Sequence, residues 1–143
     1  MKSVIPSKPK EHGQSMVELA LTITILMVLL AGTIDLGRAF FTWLAMRDAA
    51  QEGASYGSIK PNDASGLKAR VLDNLEQVVN DPLNDIDVIP SIPDFPCLGD
   101  TISVEVIYEN FPLTMPFLGT ILGRQDIPIH AKINDTVLTP ACP

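Results

Sequence analysis

From Leu19 to Ile34 the chain holds no charged residue. Counted from Gln14, the stretch approaches the ~20 residues that a helix needs to cross about 30 Å of hydrocarbon. A backbone in lipid must satisfy its own hydrogen bonds, so a lone span of this kind can only be a helix. Thr22, Thr24 and Thr33 interrupt it mildly, because their hydroxyls can return to the helix backbone. The leader through Gly13 holds Lys2, Lys8 and Lys10 against a single acid, Glu11, and Asp35 follows the run. The positive-inside rule then predicts a cytoplasmic N-terminus and a C-terminal region outside.

A secretory signal peptide is the simplest competing account, with Ala31-Gly32-Thr33 as a weak small-residue cleavage site. The sequence beyond the run argues against it. Leu36, Phe40, Phe41, Leu44, Met46, Ala49, Ala50 and Ala54 continue a helical apolar pattern almost without breakers. The expectation is one helix from about Ser15 to Tyr56, half in the membrane and half out, and on the order of 60 Å long.

Glu18 is the costly residue. An acid near a bilayer core costs about 2–4 kcal/mol unless it is paired or held at the interface. It stands five residues after Gly13, behind the basic leader and at the start of the apolar helix. This arrangement resembles the class III signal sequence of type IV pilins. Two later segments narrow the likeness: Ile34-Asp35-Leu36-Gly37-Arg38 directly after the span, and Arg47-Asp48-Ala49-Ala50-Gln51-Glu52-Gly53-Ala54-Ser55-Tyr56-Gly57. With them the chain resembles the TadE-like pseudopilins, or minor pilins, of the tight-adherence (Flp-type, type IVc) pilus system. The usual pattern has an aromatic where Leu36 stands, and often arginine where this chain has Gln51. The strong likeness runs from about Gly13 to Gly57.

The resemblance implies a prepilin peptidase cutting after Gly13 on the cytoplasmic side and leaving Gln14 as the new N-terminus. Glycine suits such a place, having no side chain to hinder entry into a protease cleft. It also implies that Glu18 of one subunit pairs with the Gln14 amine of a neighbour, a charge-assisted contact at ~3 Å that favours processed subunits. Asp35 and Arg38 lie three apart and share a helix face. They are either a solvated pair or an inter-subunit contact in a filament core. Phe40, Phe41 and Trp43 are either an interfacial aromatic belt, the reading that needs no special function, or packed on the exterior domain. The small residues Ala49, Ala50, Gly53, Ala54 and Gly57 let another element approach closely, most simply the chain's own sheet.

After Lys60-Pro61-Asn62-Asp63 the spacing of Leu67, Val71, Leu75 and Val78 predicts a second helix over 64–80, stopped at Asp81-Pro82. Pro90, Pro93 and Pro96 break regular structure over 84–100, with room for a short strand at Ile86–Ile89. Ile102, Val104, Val106 and Tyr108 alternate with Ser103, Glu105 and Ile107, which predicts a strand over 101–109. Ile127, Ile129, Ala131 and Ile133 predict another, running to Leu138 and pairing antiparallel with the first, with Pro128 marking an edge. Between them, 111–123 carries exposed-looking apolar residues that lie over the core, rest on the membrane or meet a partner. The fold class is thus α+β: a leader (1–13), a long helix (14–58, with transmembrane part 14–34) and a small exterior domain (59–143) with a second helix and a short antiparallel sheet.

Cys97 and Cys142 both fall in the exterior part. Outside the cytoplasm they can form a disulfide, closing a loop of roughly 45 residues worth about 4 kcal/mol on the chain-entropy model; otherwise they are two unpaired thiols. A head this small needs such help, and also the outer half of the long helix.

The charge balance, 17 acids against 10 bases, is the reverse of what nucleic acid requires. No catalytic constellation is legible: His12 lies in the leader and His130 has no nucleophile nearby. Asp81, Asp85 and Asp87 lack the spacing of a calcium loop. No cofactor and no enzymatic activity are expected. The expected partners are a prepilin peptidase, other pilin or pseudopilin subunits, the pilus assembly platform and the lipid bilayer. The expected place is the cytoplasmic (inner) membrane as a single-pass protein, and the filament itself. The alternative is an uncleaved, signal-anchored exterior domain that binds a cell-surface partner.

Overall fold

The computed structural model describes residues 12–115 and 123–139. One helix, α1 (His12–Ile59), runs 48 residues without a break. Its first part has the length and composition of a membrane span, and none of that apolar window is covered by the rest of the chain. The three threonines behave as the sequence suggested. Thr22 donates to the carbonyl of Glu18 at 2.8 Å, Thr24 to Ala20 at 2.8 Å and Thr33 to Leu29 at 2.9 Å. No hydroxyl on the span is therefore left for lipid to solvate.

Past the span, the same helix becomes a wall of the head. Asp35, Thr42, Met46, Ala49, Ala50, Ala54 and Ser58 are buried along one face. The head supplies α2 (Ala64–Leu75), a single turn α3 (Pro82–Asp85), and strands β1 (Ile86–Ser91), β2 (Thr101–Pro112) and β3 (Asp126–Thr136). The strands form an antiparallel meander, β1-β2-β3. Both helices lie on one face of this sheet, α1 across β2 and β3 and α2 toward β1. Leu67, Val71 and Leu75 of α2, Ile102, Val104 and Val106 of β2, and Ile129 and Ala131 of β3 close the core over Met46 and Ala50. Each large apolar side chain so covered contributes about 1.5–3 kcal/mol. The architecture is the expected α+β one, a long apolar helix with a second helix and a short antiparallel sheet.

The small residues of α1 explain its closeness to α2. A Cβ on Gly53 would stand 2.4 Å from Val71, and one on Gly57 would stand 2.3 Å from Ile102 and 2.9 Å from Leu67. The element they admit is therefore α2 together with the sheet. Asp63 caps α2, its carboxylate accepting the Gly66 N–H at 2.8 Å.

Several expectations need correction. The second helix ends at Leu75, not near Asn80: the chain turns through Glu76–Val78, and Val79 drops into the core while Val78 stays half exposed. Asp81-Pro82 does not stop that helix but starts α3, with Pro at its first position, where no N–H is missed. Pro90 does not break β1; it lies within the strand opposite Val104. An edge strand tolerates a residue with no N–H to give. The first strand pairing runs longer than the sequence suggested, to Pro112, because Glu109 and Asn110 together face Pro128 alone. This bulge shifts the inward parity of β2 from Val106 to Phe111. Pro128 lies on an edge strand, as its sequence implied.

Candidate functional site

Two places on α1 carry the residues singled out by sequence. The first is its N-terminal end. Gly13 and Gln14 sit in the first turns of the helix, exposed, and among the described residues nothing lies within 4 Å of where a Gly13 Cβ would stand. Glu18 projects from the lipid-length part, exposed, and no ion pair to it exists among the described residues. The lysines of the leader lie outside the described residues.

The second place is the point where α1 leaves the span. Asp35 is neither solvated nor outward-facing; it is 3 % exposed. Its two carboxylate oxygens accept the backbone N–H of Thr114 at 3.0 Å and of Met115 at 2.5 Å. Arg38 reaches back to the same carboxylate at 3.4 Å, and its guanidinium also donates to the Thr114 hydroxyl. It lies 5.4 Å from the centre of the Phe111 ring, a cation–π contact. Phe111 in turn meets Tyr108 edge-on at 5.8 Å. Gln125 holds the other side of the segment, donating to the carbonyls of Leu113 at 3.0 Å and Met115 at 3.1 Å. The pair Asp35–Arg38 is thus an intrachain clamp that fastens the end of β2 to the helix. Sequence reasoning saw the pair but not Thr114 and Met115, which lie 79 and 80 residues from Asp35 in the chain, nor Gln125 behind them.

Beside the clamp opens a groove of about 520 Å³, lined by Ile34, Arg38, Phe41, Val79, Tyr108 and Phe111 among others. Burial pushes the Tyr108 phenol up, the Asp85 carboxylate adds to the rise, and Arg38 opposes it. Phe40, Phe41 and Trp43 form an aromatic cluster on α1, with Arg47 over the Trp43 ring. Phe40 and Phe41 are exposed, while Trp43 leans partly on the core.

At the far end of the head, the Ser55-Tyr56-Gly57 run does structural work. The Tyr56 hydroxyl donates to Asp63 at 2.7 Å, and its ring lies between Lys60 and Arg70. The Tyr56 bond, then those from the Gly66 N–H and the Ser65 hydroxyl, hold the Asp63 carboxyl below its ordinary range. The same bond to a carboxylate pushes the Tyr56 phenol up. A side chain on Gly66 would collide with both partners, 2.3 Å from Asp63 and 2.7 Å from Tyr56.

His130 pairs with Glu105 at 3.6 Å on the open face of the sheet. Among the described residues no three His, Cys, Asp or Glu side chains are grouped so as to hold a metal ion. Cys97 lies in the turn before β2, where its N–H donates to Asp100 at 2.8 Å. Its expected partner Cys142 lies outside the described residues, as do Phe117 and Leu118 of the apolar connection.

No curated protein and no solved structure matches the chain. A family model does: the one described as TadE-like protein matches residues 13–55, within α1 and taking in Glu18, Asp35, Arg38 and most of the small-residue face.

Proposed function

We propose that this chain, TadE-like over residues 13–55, works in the Tad (Flp-type) pilus system as a minor pilin or pseudopilin that is inserted in the membrane, trimmed after Gly13 and taken into a pilus used for adhesion or secretion. The observation that carries this reading is Glu18. It is exposed on a lipid-length helix, five residues after Gly13, and no described residue of its own chain pairs with it. A carboxylate so placed calls for a cation from elsewhere. The amine released on Gln14 of a neighbouring subunit supplies one. Asp35 and Arg38 serve assembly indirectly, by fixing the head on the helix that enters the filament. A Cys97–Cys142 disulfide would tie the C-terminal tail to the turn before β2, and its formation would support a head outside the cytoplasm.

The mature N-terminus tests the reading. The intact mass of the protein recovered from membranes and from sheared pili is expected to start at Gln14 in both. An uncleaved chain in the membrane and none in pili replaces this reading with that of an anchored exterior domain. Glu18→Ala is expected to leave cleavage intact and to reduce entry into pili; equal entry would remove the assembly role of the carboxylate.

A further inference from the structure

The membrane span read from charge alone ends at Ile34, because Asp35 is the first charge after it. The structure removes the reason for stopping there. Asp35 is buried, its charge is met by Arg38, and its oxygens are taken by two backbone N–H groups. A paired, hydrogen-bonded carboxylate under a cover of protein is tolerated at the edge of a bilayer where a bare one is not. Beyond it α1 turns mostly apolar side chains outward: Leu36 is 73 % exposed, Phe40 54 % and Phe41 70 %; the one charged side chain among them, Arg38, is 44 % exposed, and its long stem lets the guanidinium reach toward the headgroups. The head itself points the same way. Met115 packs on Gly32, its sulfur 3.5 Å from where a Cβ would be, and so brings an apolar side chain of the head below the level of Asp35.

The other end of the helix sets the count. If hydrocarbon began at Gln14, Glu18 would lie about four residues, or 6 Å, inside it. If it begins after Glu18, Leu19 to Arg38 supplies the ~20 residues that 30 Å demands. Phe40 and Phe41 then fall at the hydrocarbon edge on the head side. Trp43, with Arg47 over its ring at 5.8 Å, falls in the headgroup layer, where aromatic and basic side chains anchor helices.

We propose that α1 sits in the bilayer over Leu19–Arg38, and that the head is seated on lipid through the aromatic face Leu36–Phe40–Phe41 and the rim at Leu113–Met115. The occupant of this face is the lipid leaflet, continuous with the span below. The Asp35 clamp is what allows the head to be lowered there. This rests on the membrane-spanning part of the proposed function, but not on cleavage or on pilus entry.

Trp43 is the chain's single tryptophan, so one-tryptophan variants are simple to make. In a Trp43→Phe background, Leu26→Trp and Phe40→Trp place the fluorophore at mid-span and at the proposed edge; Phe41→Trp is a second edge variant should the first fold poorly. The full chain is reconstituted in phosphatidylcholine brominated either high or low on the acyl chain. Phe40→Trp is expected to lose most of its emission to the high bromines, and Leu26→Trp to the low ones. An edge tryptophan unquenched beside a quenched Leu26→Trp overturns the register, whether water or a second copy covers that face, and leaves the span standing. If neither is quenched, the helix does not span and both readings fall.

Discussion

Gly53 shows how narrowly single positions are fixed. Its missing side chain is where Val71 of α2 lies against α1, 2.4 Å from the site of a Cβ. Gly53→Ala regains about 1 kcal/mol of helix propensity but forces an overpacked contact costing about 1–3. We expect a net loss of stability, read as a lower melting temperature of the head in detergent, whereas Gly37→Ala, with nothing within 4 Å, should not lower it. Asp63 is the second such position. Tyr56, Gly66 and Ser65 hold its carboxyl below the ordinary range, so it favours the folded form when ionised. That contribution is complete above the unfolded value and is lost as pH falls through the folded one, below about pH 4. Asp63→Asn should therefore be less stable than the parent at pH 7 and show a shallower loss on acidification, as followed by thermal melts across that range. The glycines were legible as a close-approach face; that Tyr56 and Asp63 bond to one another was not. The spacing of seven between them crosses a helix end, and no periodicity rule reaches across such a turn.

Among the elements, α1 and the core face of the sheet were the most legible, because their periods of 3.6 and 2 repeat many times. Helix α2 was right in its start and face and wrong in its end. Val78 keeps the helical spacing, yet the chain has already turned and Val79 is the residue buried. The bulge opposite Pro128 was illegible for a similar reason: it changes parity once, and nothing local announces the change. The Asp35 clamp was hidden by distance along the chain. Its weight can be measured. Asp35→Ala leaves two backbone N–H groups without their acceptor and Arg38 without its counter-charge, a loss of about 3 kcal/mol by analogy with other broken buried pairs. The expected signature is local: hydrogen exchange at the Thr114 and Met115 amides accelerates, while amides of α2 change little.

On the scale of the whole molecule, the head borrows one wall of its core from the helix whose first part has the length and composition of a membrane span. Met46, Ala49, Ala50 and Ala54 are fully buried in it. A fragment beginning at Lys60 should therefore give no cooperative thermal transition by circular dichroism, and one beginning at Thr33, which keeps both this wall and Asp35, should give one. The sequence made the dependence visible, since a head of this size has little core of its own. The span, by contrast, was read from its charges, and the folded chain hides one of them, Asp35. The unbroken course of α1 has a further consequence. A helix with no joint transmits rotation as faithfully as length, so the compass bearing of the head is locked to that of Glu18. Each residue inserted within the span would turn the head by about 100° relative to the carboxylate, and seven would bring it back to within about 20°. In an array of such subunits, the direction each head faces is therefore dictated from the opposite end of the helix.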